Sequence, residues 1–387
     1  MIQPPRVQRQ VAPARRLRLL AAAVVAATAA LLAACTGGRP PPTPVKDVAP
    51  QIGWRQAWTA AVGRVQFPLA VAVRDGEFIV AGSNGTLLGL DAATGQERWR
   101  AQTGAELSAG VGSDGHTHAV VTRDNELVVF DGTRVAWRTR LPGSVSTAPL
   151  VAGARVFVLA VDRAVSAYDA ADGRLLWRMQ RPGDPLTLEQ DGLLSAVHDT
   201  LVVGQGPRMA GIDPLSGALR WETPVAAPRG VNEVERLADL LGPPVRVGDR
   251  LCVRAFQSAV GCVDAVNGAL QWTRMSGGVN AIGGDAEQLF GADGSDRVVA
   301  WKTDNGETLW TSERLLFRQL SAPEVAGPAV VFGDFEGRVH FLDRRDGRPL
   351  LMLATDGSAV AAKPARAGGT LLVVTRKGGL FAYQPAP

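Results

Sequence analysis

His116 and His118 stand one residue apart, and an H-x-H pair on a strand would turn both rings to one face, as two of the ligands a metal needs. No third ligand lies near them in the sequence, and Asp114-Gly115 reads as a turn beside them. A solvated strand edge is the expected setting. Asp293-Gly294-Ser295-Asp296 has the acidic density of a calcium loop without its spacing or terminal Glu, and it falls where a hairpin turn is due. Cys252 and Cys262 lie on the two arms of one expected hairpin, 251–256 and 259–264, nearly opposite each other. They form either a disulfide, which an oxidising compartment permits, or a pair of buried thiols. The chain carries no G-x-S-x-G, H-E-x-x-H or phosphate-loop pattern. No catalytic or metal-binding residue is assigned, and no cofactor is expected.

The elements that would position any site repeat along the chain. Leu87 to Trp99 reads as an alternating apolar run ending in Asp91, a loop closing at Gly95, and a second strand marked by Trp99. This is a β-hairpin, with an acceptor carboxylate in its turn and a glycine to take the positive φ. The pattern recurs at Asp169-Gly173-Trp177, Asp213-Gly217-Trp221 and Asp264-Gly268-Trp272, with a shortened turn at Asp131-Gly132 before Trp137. Two copies have drifted: Lys302 replaces the Asp before Gly306 and Trp310, and Leu351 replaces the Trp after Asp343 and Gly347. Trp58 stands alone at one end, and the strand 380–383 stands alone at the other.

Successive Trp positions are 41, 38, 40, 44, 51, 38 and 41 residues apart. A period of about 40 with several short strands per unit marks a β-propeller blade. The expected fold is therefore all-β, an eight-bladed β-propeller of four-stranded antiparallel blades. Pairing the orphan halves at the termini would close the ring and remove a sheet edge. The tryptophans could stack on a flat ligand, but their period gives them a structural role first, wedged between neighbouring blades.

Before the repeats lies a targeting segment. Arg6, Arg9, Arg15, Arg16 and Arg18 precede an apolar run over 19–32 that is short for a membrane span and ends in Leu32-Ala33-Ala34-Cys35. This resembles the lipobox of bacterial lipoproteins. The resemblance implies cleavage after residue 34 and acylation of Cys35, and Thr36, being other than Asp, favours the outer membrane. Removing the five arginines lowers the formal net charge from +4 to −1, which leaves no global basis for nucleic-acid binding. Residues 37–50 are proline-rich and are expected to form an extended, unpaired tether. The organisation expected is a signal peptide over 1–34, lipidated Cys and tether over 35–50, and propeller over 51–387.

The two longest steps are adjacent, so extra chain is concentrated on two neighbouring blades, around 182–190 and 225–244. Long loops at one locus of a repeat scaffold suit a binding surface. The second loop carries Asn232-Glu233-Val234-Glu235-Arg236-Leu237-Ala238-Asp239, apolar residues set among charges.

Lipobox, tether, Trp-marked repeats and this last segment together resemble the BamB family, lipoprotein subunits of the outer-membrane β-barrel assembly (BAM) machinery. The resemblance implies a non-enzymatic scaffold on the periplasmic side of the outer membrane, whose two long loops dock onto the POTRA domains of BamA. Carried over residue by residue, it implies apolar anchors at Leu186 and Leu188, and charges at Asp239 and Arg236 that set the register. Glu189 stands where the family commonly has Arg, and Leu241 where it can have a second Asp. Unfolded outer-membrane proteins are a further expected partner. The alternatives are a quinoprotein dehydrogenase with pyrroloquinoline quinone on the axis, or a propeller that binds a periplasmic ligand. The dehydrogenases are usually much longer, and many carry a vicinal Cys-Cys that this chain lacks.

Overall fold

Each Asp-to-Gly turn closes on its own carboxylate. Asp91 accepts the backbone N–H groups of Ala93 and Thr94 at 3.0 and 2.8 Å, while Gly95 takes a φ of +73° and returns its N–H to the Asp91 carbonyl at 2.8 Å. Asp213 and Asp264 do the same in their own turns. The flanking strands pair in register, with one irregularity beside each turn. In the computed structural model, which describes residues 40–181, 186–228 and 231–386, the strands form eight four-stranded antiparallel sheets, with no helix among the described residues.

Seven blades are continuous in sequence: 72–102, 112–140, 150–179, 194–224, 240–275, 283–312 and 324–354. The eighth combines three strands within 365–385 with the N-terminal strand Trp54–Ala61, which pairs antiparallel from Trp54↔Pro385 to Ala61↔Gly379. The first strand of every blade touches the first strands of its two neighbours, in an unbroken circle. Those strands therefore line the axis, and the fourth strands form the rim. Because the strands alternate in direction, all fourth-to-first connections and second-to-third turns lie on one face of the ring, the loop face. The Asp-to-Gly turns lie on the other.

The tryptophans lock blade to blade. Trp58, Trp137, Trp177, Trp221, Trp272 and Trp310 lie on Gly95, Gly173, Gly217, Gly268, Gly306 and Gly347 of the next blade, where an added Cβ would come within 2.4–2.7 Å of the indole. Five of the six donate their indole N–H to a carbonyl of the same turn, at 2.7–3.1 Å. The glycine is thus needed twice, for its φ and for the indole face resting on it.

Both departures from the pattern have local causes. Blade two has only a two-residue turn, Asp131 pairing with Arg134, so Trp99 meets no Asp-to-Gly loop; the His118 ring stacks on it instead, 4.2 Å between centroids. This corrects the histidine reading. His118 is buried, bonded through Nδ1 to Ser113 Oγ at 2.8 Å, and burial pulls its pKa down to about 4. His116 lies in the turn before the strand and bonds Asp131 at 2.6 Å, so the two rings do not share a solvated edge. Leu351 faces blade eight, whose fourth strand comes from the N-terminus and so has no Asp-to-Gly turn. Ile52 and Trp54 pack there instead, Trp54 lying 5.4 Å from Phe341. The 293–296 segment is the expected hairpin turn, and its carboxylates accept backbone N–H groups of Ser295, Arg297, Gln319 and Leu320.

The tether expectation needs correction as well. Thr43 donates its N–H to Leu316 O at 2.9 Å, Arg318 donates to Thr43 O at 3.0 Å, and Gln51 N–H reaches Leu350 O at 2.7 Å. Residues 43–51 are therefore a strap along blade seven. A proline-rich segment has few donors but keeps its carbonyls free, and the buried Arg318 supplies the missing donor. Cys35 and the targeting segment lie outside the described residues. Residues 42–387 form one unit.

Cys252 and Cys262 are direct cross-strand partners, fully buried and joined by a disulfide. Replacing both with Ala should lower the unfolding free energy by about 2–3 kcal/mol in urea titration, because the unfolded chain gains the freedom of the closed loop. An unchanged midpoint would contradict this.

Candidate partner-binding site

The two long loops are both fourth-to-first connections, from blade three to four and from blade four to five, so they emerge side by side on the loop face. Their extra chain is shaped locally. Asn232 Oδ1 accepts Glu235 N–H at 2.9 Å, and Glu235 returns bonds to Val231 N–H at 2.8 Å and to the Asn232 amide at 2.9 Å. This reciprocal cap winds 232–237 into a single turn. The turn holds Val231 and Val234 out into solvent, 91% and 70% exposed, while Leu237 points inward to line a cavity.

One carboxylate ties the loops together. Asp239 accepts Leu188 N–H at 2.8 Å with one oxygen and the Arg163 guanidinium at 2.9 Å with the other, and Arg163 also donates to Leu186 O at 3.2 Å. Asp239 O in turn accepts Phe256 N–H at 3.0 Å. Blades three, four and five are thereby joined through a half-buried, charge-assisted junction. Beside it lies a cavity of about 350 Å³ lined by Arg163, Arg181, Arg208, Glu222, Glu233 and Arg236. Glu222 pairs with both Arg181 and Arg208.

The residues named from sequence meet on this surface in different settings. Leu186 is 37% exposed on the rim of the cavity, Arg236 lines it, and Glu189 is exposed. Leu188 is half-buried against Leu241, Ala281 and Ala322, and Asp239 faces its partners within the chain. Leu241, at the position where the resemblance allows a second Asp, is buried. Sequence reasoning missed Arg163. It sits in the turn before the third strand of blade three, 76 residues from Asp239, and no local pattern announces it.

Asp191 occupies a smaller cavity with Ser146, Thr147, Leu188 and Asp239. Burial pushes its carboxyl from 3.8 up to about 7, and one N–H bond from Ala148, at 3.3 Å, offsets this only in part. A folded value above the unfolded one means that the folded chain holds this proton longer. The group's contribution is most favourable below the unfolded value and is lost as the pH rises through the folded one. Asp191→Asn should therefore leave stability nearly unchanged at about pH 4 and raise it by up to about 4 kcal/mol at about pH 8. A variant that tracks the wild type at both pH values would refute this.

The family model for outer membrane protein assembly factor BamB matches residues 47–106 and 83–312. A protein of that name from Burkholderia pseudomallei is 37% identical over 351 residues, 89% of this chain and 91% of its own. The chain belongs to the BamB family. A BamB from Bordetella pertussis is 34% identical, covering 88% of this chain and 89% of its own. The crystal structure of BamB from Moraxella catarrhalis superimposes with a TM-score of 0.76 at 22% identity, covering 86% of this chain and 99% of that one. The quinohemoprotein alcohol dehydrogenase of Comamonas testosteroni matches at a TM-score of 0.64 and 14% identity, over 91% of this chain and 82% of its own. That likeness is one of fold alone. The BamB family thus builds on the same ring that an enzyme family uses.

Proposed function

We propose that this chain is a non-enzymatic lipoprotein scaffold of the BAM complex. It is held by acylated Cys35 on the periplasmic face of the outer membrane, binds the POTRA domains of BamA, and assists insertion of β-barrel proteins. The observation that carries the reading is the Asp239 junction, which fixes two loops of a BamB-family ring as one platform. Exposed Val231, Val234 and Leu186 supply apolar contacts on that platform, and Arg236 and Glu189 supply charge. Leu188 and Asp239 hold the loops in register beneath them. No catalytic role or cofactor enters this reading. A photo-crosslinking residue at Val234 should trap BamA in cells, whereas one at Leu215, exposed on the opposite face, should not. Equal trapping from both faces, or none from Val234, would overturn the platform.

A further inference from the structure

The strap fixes where the chain leaves the ring. Thr43 is clasped by Leu316 and Arg318, both in the connection from blade six to blade seven, and this connection lies on the loop face. Arg318 is no loose surface residue. It is buried, donates to Asp334 at 2.8 Å, pairs with Glu336, and lies 5.2 Å from the Phe335 ring centre. From Thr43 back to Cys35 there are eight residues, which span at most about 29 Å when fully extended.

On the same face, over the neighbouring blade eight, three exposed cations come together. Arg376 and Lys377 sit in the turn between Thr370–Val374 and Gly379–Pro385. Arg64 lies in the connection leaving Trp54–Ala61, where Val65 N–H bonds Arg376 O at 3.1 Å. None of the three has an ion-pair partner among the described residues. Asp356, the acid on which Lys377 acts, is not paired with it: its oxygens are bonded to Ser358 Oγ at 2.6 Å and Thr375 Oγ1 at 2.8 Å. Cations beside the Asp-to-Gly turns of the opposite face are neutralised: Arg98 by Asp91, Arg220 by Asp213, Lys302 by Glu307, Arg345 and Arg348 by Asp343.

We infer that Arg64, Arg376 and Lys377 form a contact surface for an anionic lipid bilayer, so that the loop face over blades seven and eight lies against the membrane. The inference rests on the acylation of Cys35 proposed above, because it is the short leash that brings this face near headgroups. The mature chain has a formal charge of −1, so the molecule as a whole is not drawn to an anionic surface. The leash selects the face: Arg55 and Arg74 are also exposed without an ion pair among the described residues, but they lie at the turn-face ends of their strands, away from the Thr43 clasp.

The test uses residues 36–387 without acyl chains, a span that contains the self-closed ring, in sedimentation with vesicles of phosphatidylglycerol in phosphatidylcholine. The wild type should pellet with these vesicles at low salt, fail to pellet with phosphatidylcholine alone, and be released by about 0.5 M NaCl. Arg64→Glu/Arg376→Glu/Lys377→Glu should lower the partition coefficient by about a hundredfold, at roughly fivefold or more per residue. Arg55→Glu/Arg74→Glu/Arg134→Glu makes the same charge change at the turn-face ends of the strands and should bind like wild type. Equal loss in both triple variants would reduce the effect to net charge and overturn the assignment, as would absence of binding to the anionic vesicles. Metabolic labelling of the full chain with an alkyne fatty acid, compared with Cys35→Ser, reads the anchor separately. A labelled chain whose ring ignores vesicles overturns the surface and leaves the anchor standing.

Discussion

Gly278→Ala should destabilise the ring by about 3 kcal/mol. A Cβ at Gly278 would sit 1.3 Å from the Arg254 guanidinium, which would have to give up its buried place, and 2.5 Å from the backbone oxygen of Ala292. Arg254 is fully buried, reaching from the second strand of blade five to Ala292 O of blade six, and it also donates, at 3.2 Å, to Gly277 O in the connection between the two blades. Burial lowers its pKa to about 10, Asp293 acting in the other direction, so the bolt between blades remains charged at neutral pH. Urea unfolding of Gly278→Ala beside Gly278→Ala/Arg254→Ala separates the two obstacles. The double variant removes the closer one and should recover part of the loss relative to the Arg254→Ala parent. A single variant with the wild-type midpoint would show that the guanidinium is not packed as described.

The second large effect falls on binding. Asp239→Ala should weaken association with a BamA POTRA array by thirtyfold or more, about 2 kcal/mol, although Asp239 is mostly hidden from a partner. Removing the carboxylate frees Leu188 N–H and breaks its tie to Arg163, so two loops lose their common register. Asp239→Asn keeps an acceptor for Leu188 but not the charge, and should fall between the two. Loop-tip contacts should behave differently: Val234→Ala changes dissociation without disturbing the loops. If Asp239→Ala bound as tightly as the wild type, the junction would be structural only.

Most of the ring was legible because one sentence of sequence is tied to one piece of geometry. An Asp that accepts its own turn amides, a Gly with positive φ and a Trp that lies on the next blade's Gly recur together, so each repeat announced both a hairpin and its neighbour. Even the failures carried meaning. Leu351 stands where blade eight has no Asp-to-Gly turn, and the Trp99 position is completed by His118 because blade two has a two-residue turn. Contacts between residues far apart in sequence were not legible. Arg163 meets Asp239 across two blades, and Arg318 meets Thr43 across 275 positions, through bonds that no local periodicity encodes. The strap shows why composition misleads here. Proline marks a segment that cannot supply donors, but it does not say whether a donor waits elsewhere on the ring. The loops were located from repeat lengths alone, whereas which of their residues face outward depended on the Asn232–Glu235 cap and the Asp239 junction.

The most direct test of the scaffold reading is titration calorimetry of the folded ring, residues 36–387, against a purified BamA POTRA array, with wild type, Asp239→Ala and Val231→Ala/Val234→Ala side by side. The account predicts saturable binding by the wild type and a loss of thirtyfold or more in each variant, with all three rings remaining folded under the conditions of the titration. A folded wild-type ring that does not bind the array, or three proteins that bind it equally, would contradict it.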